Sequence, residues 1–136
     1  MTKLDKIHLA WGLLFVGVFL WSGTHMKAGF PELYHGDDTV RMLYRSAHIY
    51  ILFSALLNLA LAGSGDDLSR GVRGWIQGIS SLALMGASVL ILVEFLKVSQ
   101  QVELHRPLVF WGVVLSLVAT VFKLGARLVT PRAVRR

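Results

Sequence analysis

Apolar positions in this chain come in long runs, not in alternation. Four stretches, 7–23, 44–62, 74–96 and 107–125, are almost continuously apolar. A helix needs about 20 residues at 1.5 Å each to cross a hydrocarbon core, and each run has that length or close to it. Strands of an outer-membrane barrel would show a period of two, which none of the four shows. Only a helix satisfies all its backbone N–H and C=O groups within one segment. The pattern therefore predicts an all-α integral membrane protein, a compact bundle of four transmembrane helices. The longest connection, 24–43, leaves no room for a further domain. Residues 1–136 are read as a single domain ending in a basic tail at 126–136.

Local chemistry sets the expected boundaries. Asp37 or Asp38 is placed to cap a helix beginning at Thr39, and Ala62-Gly63-Ser64-Gly65 ends that helix. Pro107 suits the first turn of the fourth, and Gly125 and Pro131 loosen or end it. Lys3 and Lys6 ahead of an apolar segment resemble a signal-peptide start, but Trp21-Ser22-Gly23 is a poor cleavage site. The first span is read as retained. Gly74 and Gly78 form a GxxxG step, which serves packing inside the bundle or, alternatively, a homodimer face. Trp11-Gly12 recurs as Trp111-Gly112.

Composition sharpens the class. Hydrophobic residues make up 54% and charged residues 16%, against roughly half and a quarter in soluble domains. The absence of cysteine removes disulfides, thiolate metal sites and covalent haem attachment. The +6 formal charge gives no nucleic-acid signature, because the basic residues sit at the ends of the apolar runs. One side of the membrane receives Lys3, Lys6, Arg70, Arg73, Lys123, Arg127, Arg132, Arg135 and Arg136. The other receives Lys27, Arg41, Arg45, Lys97 and Arg106. The excess on the first side places both termini in the cytoplasm and the first loop outside, in a cell membrane of the bacterial inner-membrane type.

Ionisable groups within spans are costly and default to functional suspects. His25, His48, Glu94 and His105 all fall toward the outer end, one for each helix. Arg41, Arg45 and His48 share a helix face. His105, Gly112, Ser116 and Lys123 share another, which must point inward. Ser80, Ala83, Ala87 and Glu94 form a third stripe, whose small residues suit a neighbouring helix or a flat ligand. Two chemistries compete for this constellation. A bare transition-metal ion would use His25, His48, Glu94 and His105. A haem b would take two of His25, His48 and His105 as axial ligands, with Arg41 and Arg45 on its propionates. Arginines near the ligands favour haem over a bare cation. In the competing reading these groups are solvated at the interface, Arg41 and Arg45 hold lipid phosphates, and Glu94 pairs with Lys97. His35 is read as a loop residue. The cytoplasmic half offers a sparser set, His8, Gln77 and Lys123, with Asn58 deeper. Asn58 is expected to bridge helices by hydrogen bonds or to touch a quinone.

Four helices with histidines near their ends resemble the small membrane b-type cytochromes, such as the cytochrome b561 group, in architecture. The resemblance implies a haem-binding bundle. Those proteins usually carry a histidine pair near each side, whereas this chain has one cluster. The leading expectation is a membrane haem or metal protein in electron transfer, or an accessory subunit of a redox complex near a quinone pool. The alternative is a cofactor-free scaffold or assembly subunit whose polar cluster binds lipid or a partner helix, as a homodimer or within a larger membrane complex.

Overall fold

The computed structural model describes residues 1–34, 36–63, 72–98 and 106–128, and of Arg73, Arg127 and Leu128 only the backbone. The chain forms helices α1 (Lys3–Ala28), α2 (Asp38–Ala62), α3 (Val72–Lys97) and α4 (Pro107–Leu128), with a short 3-10 turn at Glu32–Tyr34. No strand occurs among the described residues. All four helices are long and apolar enough to cross a membrane, with mean hydropathy from 1.3 to 2.1 in their most apolar windows. The protein is a four-helix transmembrane bundle.

Capping explains where the helices exceed the apolar runs. α1 starts at Lys3 because Thr2 and Asp5 cap each other's backbone. The Asp5 N–H donates to Thr2 Oγ1 at 3.2 Å, and the Thr2 N–H donates to Asp5 Oδ2 at 2.9 Å. Two otherwise orphaned donors are thereby satisfied. The helix continues to Ala28, so His25 sits in its last turn. α2 is capped by Asp37, whose Oδ1 accepts from the Thr39 N–H at 2.7 Å, and it stops at Gly63. Backbone hydrogen bonding to Thr39 holds the Asp37 carboxyl below the usual carboxylate range. α4 begins at Pro107 as expected but runs through Gly125 to Leu128. The glycine does not end it, and residues 129–136 of the expected tail lie outside the described residues.

The helices alternate in direction, α1 against α2 and α4 against α3, with α2 and α3 joining the two pairs. The start of α1 and the end of α4 share one end of the bundle, here the terminal end. The recurring Trp-Gly dipeptides mark close approach within each pair. A Cβ at Gly12 would lie 2.7 Å from the Leu59 side chain, and one at Gly112 would lie 2.8 Å from Ile91 Cγ1 and 3.2 Å from the Ala87 carbonyl. Lipid supplies no hydrophobic drive for helix association, so such tight packing carries the fold. α4 therefore covers the small-residue stripe of α3 around Ala87 and Ile91, the first of the two occupants that stripe suits. Gly74 is buried within the chain's own bundle. Leu13, Leu20, Ile79, Leu82, Leu117 and Val121 are exposed on the outer faces, where lipid meets them.

The interior is divided. Toward the far end an apolar core gathers Phe15, Leu43, Tyr44, Ala47, Ile51, Ile91 and Phe95. The terminal half holds a much smaller apolar cluster, Leu61, Leu84 and Ala119. Polar side chains fill the remaining space there.

Candidate functional site: a buried lysine and histidine joined by all four helices

All four helices contribute to one polar cluster in the terminal half: His8 from α1, Asn58 from α2, Ser81 from α3 and Lys123 from α4. His8, Asn58 and Lys123 are 0% exposed. Lys123 Nζ lies 2.6 Å from His8 Nε2 and 2.9 Å from Ser81 Oγ. His8 Nδ1 lies 2.8 Å from Asn58 Oδ1. Asn58 Nδ2 in turn donates to the Ser54 carbonyl at 3.0 Å.

The donors and acceptors resolve into one consistent assignment. Ser81 donates its hydroxyl proton to the Gln77 carbonyl at 2.7 Å, so its oxygen accepts from Lys123. Asn58 Oδ1 accepts only, so His8 carries its proton on Nδ1. Nε2 then presents a lone pair to the lysine. The 3.0 Å approach of His8 Nε2 to Ser81 Oγ is a contact between two acceptors that share the same Nζ donors. Further along α2, Ser54 and Ser88 bond through their hydroxyls, and Ser88 donates onward to the Leu84 carbonyl at 3.1 Å. Asn58 is thus the interhelical bridge expected of it.

Two neighbours complete the setting. Gln77, one turn before Ser81 on α3, is 0% exposed, and neither its Nε2 nor its Oε1 has a hydrogen-bond partner among the described residues. Buried amides are nearly always paired with protein or ordered water. Asp5, one turn before His8 on α1, is 2% exposed and stands between the cluster and the terminal end.

The sparser set of the sequence, His8, Lys123 and Asn58, is thus brought into one buried cluster. The sequence did hold a signal. Lys123 continues the Gly112–Ser116 line that faces inward, and His8 lies on the α1 face that also buries Leu4, Asp5, Gly12 and Phe15. Reading those two faces toward one another requires the tertiary arrangement.

At the far end His48 and His25 each pack on a different set of neighbours. The His48 ring stacks on Phe19, centroids 4.1 Å apart, and its Nδ1 lies 2.7 Å from Ser22 Oγ. Ser22 donates its own proton to the Phe19 carbonyl at 2.8 Å, so His48 donates from Nδ1 and keeps a lone pair on Nε2. A Cβ at Gly23 would lie 3.2 Å from His48 Cε1. His25 is exposed and stacks with Trp21 at 5.5 Å, edge-on to Phe95 at 6.2 Å. The two imidazoles thus engage different neighbours.

Glu94 is buried but pairs with Arg106, Oε1 to Nε 3.4 Å, and not with Lys97. Arg106 also donates from Nη1 to the Leu43 carbonyl at 3.0 Å and to Ser46 Oγ at 2.8 Å. It pins the start of α4 to α2. Arg41 stands over the Phe30 ring at 6.0 Å, and Arg45 is exposed. His105 and His35 lie outside the described residues. Among the described residues no group of three His, Cys, Asp or Glu side chains is placed to hold a metal ion.

No family model, curated protein or solved structure matches the chain.

Proposed function

We propose that this multi-pass membrane protein holds an exchangeable proton at the Lys123–His8 pair and works in a proton-linked membrane process. The observation carrying this reading is the 2.6 Å contact between Lys123 Nζ and His8 Nε2, both fully buried and completed by all four helices. Intramembrane ionisable groups are costly and mark proton or ion pathways. This cluster tolerates both charge states. As an ammonium, Lys123 donates to His8 Nε2 and Ser81 Oγ. After losing one proton it is an amine with two N–H bonds, still enough for both acceptors. The bundle therefore need not repack when the proton leaves. Gln77, with its unpaired amide, and Asp5 mark the side from which a proton or water would arrive. The distribution of basic residues supports both termini, and hence this centre, on the cytoplasmic side of a cell membrane.

The test is solid-state NMR of 15N-labelled protein in liposomes, with proton uptake measured alongside. The 15N shifts of Lys123 Nζ and His8 should change on pH titration, and Lys123→Met should abolish one equivalent of proton uptake. Unchanged shifts, with equal uptake by the variant, would overturn the reading.

A second reading, haem b or a transition-metal ion at the far end, draws its support from His48. Its Nδ1–H is anchored by Ser22, the way ligating histidines are oriented, which leaves Nε2 free. His25 or His105 would be the second ligand, with Arg41 and Arg45 on the propionates. A Soret band lost in His48→Ala is the outcome this reading requires; a folded, colourless, iron-free preparation sinks it.

A further inference from the structure

Three cations without a carboxylate partner among the described residues gather at the far end. Lys27 near the end of α1, and Arg41 and Arg45 one turn apart on α2, line a cavity of about 450 Å³ walled by Met26, Phe30 and Tyr34. Arg41 and Arg45 also line an adjoining cavity of about 400 Å³ that runs past Met42 to Ile49. None of the three side chains makes a hydrogen bond or ion pair with another described residue. Asp38 borders the second cavity, but its charge leaves the set net positive.

We infer that these adjoining cavities bind the phosphodiester headgroup of an anionic phospholipid. Two guanidiniums one turn apart, facing an ammonium, match phosphate oxygens in number and sign, and arginine engages them bidentately. The walls fit the rest of the molecule. Phe30 and Tyr34 sit at headgroup level, where aromatic rings are favoured. Met42 and Ile49, both exposed, lie two turns apart and extend the groove about 10 Å down α2, a track for an acyl chain. A zwitterionic lipid presents its own cation to the same cluster and is disfavoured.

Full-length protein is extracted from vesicles of equal phosphatidylglycerol and phosphatidylcholine, and retained lipid is counted by native mass spectrometry. Phosphatidylglycerol should be enriched. Arg41→Gln/Arg45→Gln should lower its retention about 30-fold, taking about fivefold for each basic residue. Circular dichroism in phosphatidylcholine alone should show an unchanged melt. If that double variant does not fold, Lys27→Gln should still lose about fivefold. Equal retention of both lipids, retention unaffected by these variants, or displacement of the lipid by an equal concentration of inorganic phosphate would each overturn the inference. The last result would mark a free-anion site.

Discussion

Replacing His8 by leucine should be far more damaging than replacing its partner Lys123 by methionine. The lysine has two acceptors within the cluster, His8 Nε2 at 2.6 Å and Ser81 Oγ at 2.9 Å. His8→Leu removes the nearer one and also strips Asn58 Oδ1 of its donor. Taking an acceptor from a buried ammonium leaves desolvated charge unpaired and costs at least as much as a neutral orphaned group, about 1–3 kcal/mol. Ser81 still accepts, and leucine fills much of the imidazole's volume, which puts the expected loss at about 3 kcal/mol. Lys123→Met loses two interhelical hydrogen bonds, about 0.6 kcal/mol each in a bilayer. It also removes a cation whose burial costs about 2.5–3.5 kcal/mol. The His8 Nε2 left without its donor costs about 1 kcal/mol more, so the terms offset to within about 1 kcal/mol of wild type. The double variant should recover most of the His8→Leu loss, a coupling of about 2 kcal/mol. Unfolding in mixed micelles with increasing dodecyl sulfate, followed by circular dichroism, measures all four corners of the cycle. Equal losses from the two single variants, with coupling below about 0.5 kcal/mol, would refute the assignment of Lys123 as donor and His8 as acceptor.

Three further outcomes follow from the packing and capping. Arg106→Leu leaves Glu94 buried without its cation and frees the Leu43 carbonyl, for an expected loss of about 3 kcal/mol in the same unfolding assay; Glu94→Gln should cost less. Gly112→Val drives side-chain atoms into Ile91 and the Ala87 carbonyl and should cost about 1–3 kcal/mol, whereas Gly86→Ala, with nothing within 4 Å of its Cβ, should gain about 0.5–1 kcal/mol. The Asp37 carboxyl has a folded-state pKa depressed by the Thr39 N–H. Its cap is therefore fully present above the unfolded-state pKa and lost as pH falls through the folded one. Amide exchange at Thr39 and Val40 should accelerate over that acidic window, and Asp37→Ala should remove the pH dependence.

Much of the fold is legible without coordinates. Continuous apolar runs in a solvent that cannot hydrogen-bond leave the backbone no choice but helices, and Asp37, Gly63 and Pro107 act within one turn of themselves. The inward line through Gly112, Ser116 and Lys123 follows from helical phase alone. Thr2 and Asp5 form a capping box spaced for recognition in the sequence; it adds a turn to α1 that hydropathy does not report.

Tertiary structure decided which polar groups meet. A period of 3.6 residues fixes the face a side chain occupies on its own helix but says nothing about the rotation of the next helix. His25 packs on Trp21 and Phe95 and His48 on Phe19 and Ser22, while His8 and Lys123, 115 positions apart, meet at 2.6 Å. Close approach at Gly12 and Gly112 sets those rotations, because in lipid steric fit between helices has no hydrophobic term to override it.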